Sequence, residues 1–398
     1  MSSNVALTNV AFANKASSDV ASTNHEPLKK SRILVVDIAR GLSVIVMIMV
    51  HTLWMYGSEL TQSESVIGDL LHLLGKGTAA FLVLMGFSMA LSSRNTAFGL
   101  ISRGVLLLAV AYALNFLKFI VPITLFQTMP ESFVQAYQWQ SPLNITQYVY
   151  LLLTGDILQM AAITLIIMGI FNKWLSSNSF IIVFGLLIIA LSGELRGATF
   201  DINGLGYLVS LFWSDNYQVY FPVFPWMACV LFGRLFGNLF VQRQHDQGYT
   251  FKMMAITGAG LIACGVGLIA INTEYHFNNF FHLGPGGALY LIGLNGVGIW
   301  LLFHLIKILP DNKFNQLLCW CSVRVTSLYV LQWTLVCWGM GVIGFKTLSP
   351  ELLMLMLPLM IVLTLTVHYL LEKGIQFSRQ VIRNKMQASS CSNRLNAS

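Results

Sequence analysis

Residues 34–56 form an apolar run that contains Asp37, Arg40 and His51. Ionisable groups inside a membrane helix cost several kcal/mol near its centre, so they face protein or water and mark function. Arg40 and His51 are separated by 11 residues, which at 100° per residue is about 20° past three full turns, with a rise of about 16.5 Å. Both side chains therefore leave one face of the helix at opposite depths. Asp37, three residues before Arg40, can pair with it on that face. A histidine supplies a base of near-neutral pKa without large tuning. The competing reading is structural: an arginine snorkelling to the headgroups and a lone interfacial histidine. Lys76 and Gln332 are further polar candidates within spans, each able to donate to negative charge that develops in a reaction. Asp156 can orient His51 or neutralise Lys76, and a plain Lys76–Asp156 ion pair competes with the functional reading. His72 stands at the outer end of the second span, where it could bind a substrate.

The elements that hold these residues are set by composition. Of 398 residues, 56% are hydrophobic and 10% charged, against roughly 25% charged in soluble domains. The chain is expected to be an all-α polytopic membrane helix bundle of about ten spans, near 34–56, 70–92, 98–121, 146–171, 178–193, 219–240, 252–271, 285–308, 317–340 and 350–372. The domain reading is a disordered cytoplasmic tail over 1–31, a transmembrane domain over 32–373 and a basic cytoplasmic tail over 374–398. With the N-terminus inside, 18 of the 23 Lys and Arg fall on the inner side. Lys118, Arg196 and Lys346 are left outside, and Arg40 and Lys76 lie within spans. The positive-inside rule then predicts cytoplasmic termini. The net charge of +7 reports topology, since the basic residues sit at helix ends and in short connections, and no nucleic-acid partner is expected. The six cysteines offer no pair in an outer loop for a disulfide framework. Cys319-Trp-Cys321 lacks a second half with zinc-like spacing, so no metal is expected.

The segment Asp37-Ile-Ala-Arg40-Gly41, followed by an apolar run and His51, resembles the first helix of the transmembrane acyltransferase superfamily, which includes the acyltransferase-3 family with its Arg-X10-His motif. The likeness is closer to the heparan-α-glucosaminide N-acetyltransferase-like group. Three further stretches are similar to that group: Thr78 to Ser88 around Met85-Gly86-Phe87, Gly155-Asp156-Ile-Leu-Gln159, and Tyr220 to Trp226 leading to Gly233-Arg234-Leu-Phe-Gly237. The resemblance implies a multi-pass protein of the cell (inner) membrane that moves an acyl group, acetyl in the first instance, from cytoplasmic acyl-CoA to a sugar hydroxyl or amine of a glycan or glycolipid. It places Arg40, supported by Asp37, at the donor and His51 at the transfer point. One departure stands out: Ser327-Leu-Tyr329-Val-Leu-Gln332-Trp333 offers Gln332 where a second histidine would be sought. The alternative is a secondary transporter with an Asp/Arg/His relay, but no matching halves of an internal repeat are visible. A non-enzymatic sensor or assembly protein would bind no acyl-CoA. Oligomeric state is not legible.

Overall fold

A computed structural model describes residues 33–93, 95–199, 205–308 and 312–395, with side chains to residue 384. The expected tail over 1–31 lies outside the described residues. The rest is helical: α1 (Leu34–Tyr56), α2 (Val66–Leu91), α3 (Ala97–Thr124), α4 (Ile145–Leu152), α5 (Ile157–Ile170), α6 (Asn178–Leu195), α7 (Leu205–Trp213), α8 (Val223–Gln242), α9 (Gln247–Ile271), α10 (Pro285–Ile308), α11 (Lys313–Ser322), α12 (Val325–Ile343) and α13 (Pro350–Leu395). Among the described residues nine helices are long and apolar enough to cross a membrane, and this is a multi-pass helix bundle.

The difference from ten is the fourth apolar run, which is broken into α4 and the 14-residue α5. The break is built from side chains that stand in for helix hydrogen bonds. Asp156 caps α5, Oδ1 accepting from Ile157 N at 2.8 Å, and Gln159 Oε1 accepts from Asp156 N at 3.0 Å. That pairing is a capping box, legible in Asp156-Ile-Leu-Gln159. Asn115 Nδ2 donates to the carbonyls of Leu152 and Thr154, at 2.8 and 2.7 Å. Gly155 exchanges backbone bonds with Gln218 and Tyr220, at 2.7 and 2.8 Å. A backbone opened within hydrocarbon is stable only when its groups are satisfied in this way.

Two more irregularities serve the same region. Helix α2 breaks at Lys76-Gly77, where Asn295 Nδ2 of α10 donates to the Lys76 carbonyl at 3.2 Å. In α3, Phe116–Ile120 is wound as a π-helix, a form found chiefly as short bulges at functional sites. Trp338 Nε1 of α12 donates to the Leu117 carbonyl there, at 2.8 Å.

Helix α1 lies among α2, α10, α11, α12 and α13. Gly41 makes this possible: a Cβ there would collide with the Leu318 backbone of α11, so the glycine of the Asp-Ile-Ala-Arg-Gly segment is a close-approach residue. The most buried span is α8, with 78% of its most apolar window inside, against 17% for α9. The end of α1 is strapped to the α12–α13 connection. Lys346 N donates to Met55 O, Leu348 N to Tyr56 O and Ser58 N to Leu348 O, at 2.8 to 2.9 Å, and Tyr56 O–H donates to Val336 O at 2.8 Å. In the connection between α3 and α4, Phe133 packs inward, stacking on Phe119 at 5.7 Å and meeting Phe345 edge-on at 5.3 Å.

Candidate functional site

His51 is buried on α1 beside α12. Its ring stacks on Trp333 with centroids 3.9 Å apart, meets Tyr329 edge-on at 5.9 Å, and is flanked by Trp54 at 5.6 Å. The Gln332 carboxamide lies against Nδ1, with Nε2 at 2.8 Å and Oε1 at 3.1 Å. In the tautomer that donates from Nδ1 to Oε1, the other ring nitrogen, Nε2, keeps its lone pair for a ligand. Gln332 is thus the group that orients the imidazole, on the residue where the sequence sought an oxyanion donor or a second histidine. Gln332→Leu is expected to lower turnover roughly 10- to 10²-fold, the scale of a misplaced reacting group. Steady-state rates measured alongside donor affinity check it, and affinity should be unchanged.

Asp156 stands next to this ring. Its Oδ2 accepts from Tyr329 O–H at 2.8 Å and lies 3.5 Å from Lys118 Nζ, so with Oδ1 capping α5 the carboxylate is fully engaged. This corrects one reading of the sequence and adds to another. Lys118, counted there among outer-side charges, is buried with 3% of its side chain exposed, within the π-helical turn. Asp156 pairs with Lys118, and not with Lys76. A cation that far along run 98–121 was the available signal, masked by reading the end of the run as its water boundary.

A cavity of about 630 Å³ leads away from His51. Ser43, Met47 and Val50 of α1, Thr78 and Phe81 of α2, and Asn295, Ile299 and His304 of α10 line it, with Asp156 and Tyr329 at the His51 end. No Lys or Arg is among its lining residues. It follows α1 as far as Ala39, the neighbour of Arg40. Arg40 itself is half-buried and does not line it. Asp37 Oδ1 accepts from Ser322 Oγ of α11 at 2.7 Å, and no Asp37–Arg40 ion pair within 4 Å forms among the described residues. The carboxylate takes Ser322, which α11 brings to it over Gly41, and acts on Arg40 through its charge without a close contact.

A second cleft of about 350 Å³ shares Val50 and Trp54 with the first and is lined by His72, Lys76, Tyr217, Asn278, Asn279 and Phe281. His72 and Lys76 are therefore together, behind the wall that Val50 and Trp54 form beside His51. No carboxylate lines this cleft. Among the described residues no group of three or more His, Cys, Asp or Glu is placed to hold a metal ion.

The family model for the heparan-α-glucosaminide N-acetyltransferase catalytic domain matches residues 32–271, more than half of the chain. The chain belongs to that family. No curated protein is matched by sequence. Membership in the heparan-α-glucosaminide N-acetyltransferase family makes this a membrane protein of acetyltransferase type. His51, Lys118 and Asp156 fall inside the matched stretch, whereas Tyr329, Gln332 and Trp333 fall beyond it. The half of the site that surrounds the histidine thus comes from α12, outside the family match.

Proposed function

We propose that the protein transfers an acetyl group from acetyl-CoA, taken from the cytoplasmic side of the cell membrane, to a hydroxyl or amine of an envelope glycan or glycolipid. The observation that carries this reading is His51, fixed at Nδ1 by Gln332 and set at one end of a cavity that follows α1 toward Arg40. The cavity lining suits an extended acyl-pantetheine arm, being apolar with Ser43, Thr78, Asn295 and His304 spaced along it. Arg40, with no ion pair among the described residues, stands beyond its far end as a contact for donor phosphate. His51 Nε2 takes the proton from the acceptor as the acceptor oxygen or nitrogen attacks the thioester carbonyl. The carbon–sulfur bond breaks, and the imidazolium returns that proton to the departing thiolate. The second cleft, with His72 and Lys76, receives the acceptor. Family membership favours this enzyme reading over a transporter built on the same charges.

Purified protein incubated with radiolabelled acetyl-CoA should bind it saturably and consume the thioester in a His51-dependent manner. Absence of saturable binding by folded protein would remove the donor. Arg40→Ala should weaken binding roughly 10- to 10²-fold, the worth of a hydrogen bond to a charged group. Arg40→Lys should be impaired as well, because a point charge does not reproduce a bidentate fork. Equal affinity in wild type and folded Arg40→Ala would end that assignment.

A further inference from the structure

Lys118 is a buried ammonium that the acyl-transfer step leaves without a role. An ammonium at 3% exposure in the membrane-spanning part of a protein is costly unless it is paired, and here two of its three partners, Asp156 and Trp333, belong to the surroundings of His51. Its Nζ is 3.5 Å from Asp156 Oδ2 and sits over the Trp333 ring at 4.7 Å and the Phe119 ring at 4.8 Å. Trp333 is the ring stacked on His51. Asp156 holds the hydroxyl of Tyr329, whose ring meets His51 edge-on. The ammonium therefore touches both routes by which α12 and the α4–α5 break grip the imidazole. It lines neither of the two cavities. The helix is wound as a π-helix at this residue.

We propose that Lys118 is a positioning residue for acyl transfer: its ammonium ties Asp156 to Trp333, and the two together seat His51 at the end of the cavity. The proposal rests on the acetyltransferase reading above and deepens it. A lysine that only neutralised Asp156 to let the protein fold would affect the amount of folded protein. A positioning lysine affects the rate per folded molecule.

The test uses full-length protein in lipid nanodiscs with radiolabelled acetyl-CoA, following conversion to acetate and CoA and, with glucosamine added, to N-acetylglucosamine. Rates are normalised to folded protein. Lys118→Met should lower kcat roughly 10- to 10²-fold, as expected for a displaced catalytic group, with the KM for acetyl-CoA unchanged. Lys118→Arg should recover much of the loss. In a cycle with Asp156→Asn the losses should be non-additive, because the two residues act as one unit. If Lys118→Met alone does not fold, the double variant still gives the comparison, since it leaves no lone buried charge. Its rate should equal that of Asp156→Asn.

Wild-type kcat in folded Lys118→Met, or fully additive losses, would overturn the proposal. His51→Ala serves as the control for the underlying reading. An inactive His51→Ala beside a normal Lys118→Met discards the role of Lys118 and keeps the enzyme, whereas an active His51→Ala discards both.

Discussion

His51→Ala is expected to lose acetyl transfer by roughly 10²- to 10⁴-fold, the range for removing a general base, with acetyl-CoA affinity close to wild type. The asymmetry follows from where the residue sits. His51 occupies one end of the cavity, whereas most of the donor-sized volume runs along Ser43, Met47, Ile299 and His304. Truncating the imidazole leaves that volume in place and removes only the group that handles the proton. The variant should stay folded, since Trp333 and Tyr329 keep their other partners and the space opened joins an existing cavity. His51→Gln separates two roles: it can keep a hydrogen bond to Gln332 but has no base, and it should be as inactive as the alanine variant. Single-turnover transfer and equilibrium donor binding, measured on the same preparation, give both quantities. Near-normal transfer in either variant would move the chemistry away from this residue.

Gly86→Val should cost about 3 kcal/mol or more in stability, beyond the usual 1–3 kcal/mol of overpacking, and should sharply reduce recovery of folded protein. Helices α2 and α8 cross with their backbones in contact, so that a Cβ at Gly86 would land on the Val230 carbonyl and one at Gly233 on the Val83 carbonyl. The two glycines face each other's helices reciprocally. Close approach through small residues is how membrane helices associate when lipid offers no hydrophobic penalty. Because α8 is the most buried span, the crossing has no free side to open toward. Gly260→Ala on α9 is the contrasting case, with nothing within 4 Å of the added atom, and should gain about 1 kcal/mol from helix propensity. Thermal unfolding in detergent should separate the two. Equal transition temperatures for Gly86→Val and wild type would mean that the crossing is not a constraint.

The helical spans were legible because hydrocarbon imposes length and apolarity on each one separately, a local property that one run carries whatever its neighbours do. His51 was legible for the same kind of reason: a polar residue in such a run needs a cause that can be sought along the helix face. The identity of its partners was not. Gln332 lies 281 residues away, and nothing in the Ser327–Trp333 stretch specifies which side of α12 meets α1. The burial of Lys118 was not legible, because charge at the edge of a run reads as a water boundary and its partners Asp156 and Trp333 lie far along the chain. The α4–α5 break was half visible. Asp156-Ile-Leu-Gln159 is a helix start by its own chemistry, yet the apolar residues on both sides outweighed it when the run was read as one span.

The strap between the end of α1 and the connection into α13, together with the His51–Gln332 contact, imposes an order in time. At about 5–20 residues per second of chain synthesis, the 281 residues from His51 to Gln332 take roughly 14 to 56 seconds to appear. For nearly all of that interval α1 has been made while the partners of its polar groups from α11 and α12 are still missing, including Ser322 for Asp37. The first of the described helices to be synthesised is thus among the last to be completed. A nascent chain halted before α11 would hold an inserted helix whose aspartate and histidine have no settled company, which is the kind of segment that membrane quality control detects.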